Sequence, residues 1–128
     1  MSAHYVLVVE DDLDIRSMLV ECIGHQGFAA RGAANGADAL QENRSGVAQP
    51  CVILLDLTMP VMDGWAFREA QLGDPHLASI PVVLLSAAPD IAAKAKRLQI
   101  ERCLKKPLDL DDLFRAVREN CAPSTARA

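Results

Sequence analysis

The chain is short of positive charge. Thirteen lysines and arginines stand against seventeen aspartates and glutamates, a net charge of −4 over 128 residues. A basic face of the kind that gives general nucleic-acid affinity is therefore not expected. Long apolar runs are also missing. Tyr5–Val9, Cys51–Leu55 and Ile80–Leu85 are strand-sized, far short of the ~20 residues that cross a bilayer. The opening Met-Ser-Ala-His has no charged n-region and no apolar h-region, so no secretory leader is expected. Cysteine is sparse: Cys22, Cys51, Cys103 and Cys121 are widely spaced, with no Cys-x-x-Cys. Each lies in or beside an apolar run, and reduced, mostly buried thiols in a cytoplasmic protein are the expectation. His4, His25 and His76 show no metal-ligand spacing, and no Gly-x-Gly-x-x-Gly comes after the first strand, which argues against a nucleotide-binding oxidoreductase.

What is present is enough apolar residue, 51%, for one well-buried domain. Strand and helix alternate five times. Strands are expected at Tyr5–Val9, Phe28–Arg31, Cys51–Asp56, Pro81–Leu85 and Arg102–Lys105. Helices are expected at Leu13–His25, from Asn35-Gly36 to about Asn43, from Gly64 to Leu72, over Asp90–Gln99 and after Pro107. The first helix is expected to bury Ile15, Met18, Leu19, Cys22 and Ile23, and the fourth to turn Ile91, Ala95 and Leu98 inward and Lys94, Lys96 and Arg97 outward. Trp65 and Phe67 read as packing residues of the third helix. Strands apolar throughout, alternating with helices, imply a parallel sheet covered on both faces. Five such units in so short a chain suggest an α/β, doubly wound, flavodoxin-like fold with strand order 2-1-3-4-5. The expected division is a domain over residues 1–122 and a short tail over 123–128.

The residues at the strand ends carry the chemistry. The first strand runs into Glu10-Asp11-Asp12, the third ends in Asp56, the fourth leads to Ser86-Ala87, and the fifth leads to Lys106-Pro107. In the expected strand order these groups meet at one rim, where doubly wound folds bind ligands. Crowded carboxylates repel and one stays protonated unless a cation joins them. An oxygen-only donor set completed by water suits Mg²⁺. Glu10, Asp11 and Asp56 are then neutralised by Lys106 and one Mg²⁺. A dianionic phosphoryl group on Asp56 adds only about one negative charge. A carboxylate can attack phosphorus to give an aspartyl phosphate, a reaction that needs little beyond positioning and charge neutralisation.

Val8-Val9-Glu10-Asp11-Asp12, the run from Asp56 through Met59-Pro60 to Asp63-Gly64, Ser86-Ala87 and Lys106-Pro107 resemble the receiver domain of two-component response regulators over about residues 4–120. The resemblance implies Asp56 as phosphoacceptor and Glu10 and Asp11 as the acidic pair, with Asp11 a direct metal ligand. It further implies the Thr58 carbonyl as a metal ligand, Ser86 as the hydroxyl switch, Lys106 as the phosphate-facing lysine and a cis Lys106-Pro107 bond. Its implied cofactor is Mg²⁺, and its implied donor is a sensor histidine kinase or a histidine phosphotransfer protein. The chain departs from the family at Cys103, where an aromatic ring is usual, and at Gln99-Ile100, where Gly-Ala is usual. The stretch from Ser86 to Lys106 is also short. With Cys103 in place of a ring, output is expected to pass mainly through the Ser86–Asp90 loop and the fourth helix.

Rival readings are weaker. A phosphohydrolase with an aspartate nucleophile needs a general acid two residues on, where Thr58 stands. A binding module that has lost phosphorylation would not need the full acidic, hydroxyl and lysine set. Lys94, Lys96, Arg97, Arg102 and Lys105 read as a solvated basic face, with a docking site for an acidic partner as the alternative. The domain is thus expected to be a signalling switch rather than an enzyme, and a stand-alone adaptor rather than a DNA-binding regulator, with a receiver cut from a longer regulator or hybrid kinase as the alternative. The downstream partner is an unidentified protein, with no nucleic acid or membrane contacted directly.

Overall fold

The computed structural model describes residues 4–44, 49–56, 63–75 and 77–121. Its elements run β1 (His4–Val9), α1 (Leu13–His25), β2 (Ala30–Ala33), α2 (Gly36–Arg44), β3 (Gln49–Asp56), α3 (Gly64–Leu72), β4 (Val82–Ser86), α4 (Ile91–Arg97), β5 (Arg102–Lys105) and α5 (Leu110–Asn120). All strand pairs are parallel, in the order β2-β1-β3-β4-β5. The doubly wound α/β architecture expected from the sequence is the one found.

Period-two alternation sorts the strand side chains onto two faces. Leu7, Val9, Ile53, Leu55 and Leu84 face one core cluster with Phe67 of α3 and Ile91 and Ala95 of α4. Val6, Val8, Val52, Leu54, Val83 and Leu85 face the other, with Leu19 and Ile23 of α1 and Leu113 and Val117 of α5. Each fully buried aliphatic side chain contributes about 1.5–3 kcal/mol, so the sheet centre holds the fold and the strand ends are free for chemistry.

Local signals set the helix starts. Asp12 caps α1, accepting from the Asp14 and Ile15 amides. Asp63 caps α3 through the Ala66 amide, and Asp109 caps α5 through those of Asp111 and Asp112. Such caps contribute about 1 kcal/mol each.

Several expectations need correction. β2 begins two residues later than expected, because Phe28 is a buried plug before the strand rather than part of it. Met18 of α1 is exposed, since the buried stripe runs through Leu19 and Ile23. The expectation of four reduced thiols fails for two of them. Cys51 of β3 and Cys121 at the end of α5 form a disulfide, while Cys22 and Cys103 are free. The pair is 70 residues apart in sequence. It meets because α5 returns antiparallel to the strands and ends beside the start of β3, with the Cα atoms 5.4 Å apart, inside the range a disulfide bridges.

Candidate functional site

Parallel registers align the strand ends. Val9 lies beside Leu55, Asp56 beside Leu85, and Ser86 beside Lys105. One residue past β1, one at the end of β3, one at the end of β4 and one past β5 therefore reach the same rim. Glu10, Asp11, Asp56, Ser86 and Lys106 line one open cavity of about 400 Å³ there, with Trp65 and Lys94 at its side.

Glu10 is 1% exposed and is fixed from several directions. Its amide donates to the Ala33 carbonyl at 3.0 Å, its own carbonyl accepts from the Arg16 guanidinium at 2.8 Å, and its carboxylate accepts from the Asp12 amide at 3.3 Å. Arg16 reaches that carbonyl across Gly32 of β2. A Cβ at Gly32 would stand 2.9 Å from the Arg16 stem, closer than side chains tolerate.

Lys106 Nζ donates to Glu10 Oε1 at 2.7 Å and to Asp56 Oδ1 at 3.5 Å. The lysine is aimed from its backbone: its amide donates to the Ser86 carbonyl at 2.9 Å, and the Lys106-Pro107 bond is cis, as expected. Ser86 is buried, and its hydroxyl oxygen accepts from the Ala88 amide at 3.0 Å.

The electrostatics arise from this packing. Burial, and then the neighbouring Glu10 charge, push the Asp56 carboxyl up from 3.8 to about 6, although Lys106 pulls the other way. Burial opposes the Lys106 ammonium, but its hydrogen bond to Glu10 and the charges of Asp56 and Glu10 outweigh this, and its pKa rises. One ammonium thus bridges two buried carboxylates without fully offsetting the cost of burying Asp56.

A divalent cation fits what remains. One carboxylate oxygen from each of Glu10, Asp11 and Asp56 lies within 4.8 Å of the others. Two of these residues are buried and Asp11 is exposed, so the donor set is all oxygen and open to water on one side, as Mg²⁺ prefers. Thr58, the fourth expected ligand, lies outside the described residues, as does all of 57–62.

Comparison with known proteins agrees with this geometry. The family model described as the response regulator receiver domain matches residues 6–118. The chain belongs to the response-regulator receiver-domain family. It is 35% identical over 111 residues to the regulatory protein AtoC of Escherichia coli, covering 84% of this chain and 23% of that protein. It is 34% identical over 110 residues to the sensor histidine kinase TmoS of Ectopseudomonas mendocina, covering 84% of this chain and 11% of that one. Among solved structures, the chemotaxis protein CheY4 of Vibrio cholerae aligns with a TM-score of 0.81 at 26% identity, over 94% of this chain and 100% of that one. This receiver domain therefore spans only a minor part of AtoC and TmoS.

Receiver domains are signalling switches of two-component systems that bind Mg²⁺ at an acidic pocket, and this chain has an acidic cluster at the rim. Among the described residues no helix is long and apolar enough to cross a membrane.

Two residues at this rim are not assigned there by the sequence. Helical spacing turns Lys94 outward; its side chain also lines the rim cavity. Trp65 also lines it, and Arg97 of α4 lies over its ring, 5.4 Å from the centroid. Helical periodicity identifies a helix's buried stripe, but it does not say which flank borders a cavity made by other elements.

Proposed function

We propose that this receiver is phosphorylated on Asp56 with Mg²⁺, taking the phosphoryl group from a phosphohistidine on a sensor histidine kinase or histidine phosphotransfer protein. The observation that carries the reading is the Asp56 carboxylate itself. It is buried at the end of β3, 3.5 Å from the Lys106 ammonium, with the Ser86 hydroxyl at the next strand end. An Asp56 oxygen attacks phosphorus, the O–P bond forms, and the N–P bond breaks. The imidazole nitrogen leaves with the electron pair and is protonated from solvent. Lys106 neutralises a phosphoryl oxygen by a charge-assisted hydrogen bond. Ser86 exchanges its Ala88 contact for another phosphoryl oxygen, turning the β4–α4 loop inward.

Glu10, Asp11, Asp56 and the Thr58 carbonyl are the residues that would hold Mg²⁺, which supplies charge neutralisation at the phosphoryl oxygens. The switching unit is assigned to residues 1–122, with 123–128 outside it. Cytoplasmic placement rests on the kinase-borne donor, and the Cys51–Cys121 bond is a feature it has to accommodate. The stand-alone and receiver-fragment readings use the same switch, and the domain passes on a group rather than turning over a substrate.

The test is incubation with acetyl phosphate and Mg²⁺ and then intact mass. One added phosphoryl group is expected in the wild type and none in Asp56→Asn. Uptake by Asp56→Asn at the wild-type rate would remove the assignment, and steady turnover of p-nitrophenyl phosphate would favour a hydrolase instead.

A further inference from the structure

Lys94 brings a second cation to the acceptor cavity, and it comes from α4 rather than from a strand end. Among the described residues that line this cavity, Lys94 and Lys106 are the two cations. They are held very differently. Lys106 is fixed between Glu10 at 2.7 Å and Asp56 at 3.5 Å. Lys94 pairs with Asp90, one turn back, at 3.5 Å, and the side chains keep 30% and 59% exposure. An exposed pair of this spacing contributes little to stability, so little opposes its exchange. A lysine carries three donors on a flexible four-carbon stem and can change partner without backbone rearrangement.

The cavity has a use for that charge. A phosphoryl group on Asp56 raises its negative charge by about one, while Lys106 stays shared with the buried Glu10 carboxylate. The phosphoryl oxygens are a better partner for Lys94 than Asp90 is, because they sit in a partly water-excluded cavity where attraction is less screened.

We propose that Lys94 is an anion-binding residue of the phosphorylation site, leaving Asp90 for the incoming phosphoryl group and so tying α4 directly to the state of Asp56. This rests on the proposed phosphorylation of Asp56. Because Lys94 lies in the middle of the seven-residue α4, the exchange places a residue of that helix on the phosphoryl group, independently of the hydroxyl movement at Ser86.

The test measures initial rates of Asp56 phosphorylation by acetyl phosphate with Mg²⁺, using intact mass. In this reaction the Asp56 O–P bond forms, the bond from phosphorus to the acetyl oxygen breaks, and acetate leaves with the electron pair. Wild type, Lys94→Gln, Lys94→Arg and Asp90→Asn are compared. Lys94→Gln is expected to lower the rate about threefold, Lys94→Arg to recover it, and Asp90→Asn to raise it above wild type, in keeping with a single partly screened charge. The differences should shrink in roughly 1 M salt, where the screening length is about 3 Å. A role of Lys94 in helix stability alone would not reverse in Asp90→Asn, nor respond to salt in this way. If wild type is phosphorylated and Lys94→Gln matches it, or Lys94→Arg is as slow as Lys94→Gln, the Lys94 assignment is overturned and Asp56 phosphorylation stands. If wild type takes up no phosphoryl group, the proposed function falls, and the Lys94 assignment with it.

Discussion

Asp56 is a buried carboxylate facing another buried carboxylate, and its protonation answers to both. Its pKa is raised from 3.8 in the unfolded chain to about 6 in the fold. A group shifted this way favours the fold fully below pH ~4, and that contribution is lost as pH rises through about 6, on the order of 2–3 kcal/mol in all. In Mg²⁺-free buffer the melting temperature is therefore expected to fall between pH 4 and 6.5. Asp56→Asn, which cannot ionise, should remove most of this slope and melt roughly 5 °C higher than wild type at pH 7.5. Mg²⁺ should raise the wild-type melting temperature and leave Asp56→Asn nearly unchanged. A wild-type melt flat across this pH range would contradict the crowding of Asp56 and Glu10. At the neighbouring strand end, Ser86 keeps the hydroxyl that a phosphoryl group can recruit, while Cys103 has one short arm and cannot sweep the volume of a ring. Beryllofluoride is thus expected to shift α4 amide resonances in Cys103→Ala much as in wild type, and less in Ser86→Ala.

Among the described residues, the turn from α4 into β5 carries backbone strain. Gln99 sits there at φ +60°, a conformation that costs a side-chain-bearing residue roughly 1 kcal/mol. The resemblance to receivers leads one to expect glycine at this point. The strain is held by Arg68 of α3, whose guanidinium donates to the Leu98 carbonyl at 3.0 Å, the Gln99 carbonyl at 2.8 Å and Gln71 Oε1 at 2.7 Å. Gln71 in turn donates to the Leu77 and Ile80 carbonyls. A largely buried side-chain network thus fastens α3 to the turns that lead into β4 and into β5 and gives their carbonyls hydrogen-bond donors. Gln99→Gly is expected to stabilise the protein by about 0.5–1 kcal/mol in urea unfolding. Arg68→Met should cost about 2–4 kcal/mol, since it leaves two backbone carbonyls and the Gln71 amide oxygen unpaired. A neutral Arg68→Met would mean that the network is dispensable.

At the scale of the molecule, the Cys51–Cys121 disulfide closes most of the chain into a loop, joining the start of β3 to the end of α5. Closing a loop of 70 residues restricts the unfolded chain by about 4 kcal/mol in the chain-entropy account. The oxidised protein is expected to show two reactive thiols in denaturant, Cys22 and Cys103, and four after reduction. Reduction, or Cys51→Ser with Cys121→Ser, should lower the melting temperature by roughly 10 °C. The rim that holds Asp56 lies at the opposite ends of the strands, so the proposed phosphorylation of Asp56 is expected to change little in rate. Four reactive thiols in unreduced protein would contradict the bond.

Much of this molecule is legible in the residues alone. Apolar runs of strand length, helical stripes and turn residues specify the ten elements found among the described residues, because backbone geometry imposes periods of two and 3.6 wherever a chain must bury one face. The short motifs after four strands point to one rim for the same reason, since parallel strands end on the same side. Other features depend on distances between segments far apart in sequence. Only parallel register brings Lys106 to 2.7 Å from Glu10 and 3.5 Å from Asp56, and only burial, with Glu10 beside it, moves the Asp56 pKa up against the pull of Lys106. Periodicity places Lys94 on the outer flank of α4, but that this flank borders the rim cavity is a matter of packing. The Arg68 network and the Cys51–Cys121 bond leave no local trace, because hydrogen bonds and disulfides constrain positions in space, and sequence spacing is silent about which distant segments the sheet order will make neighbours.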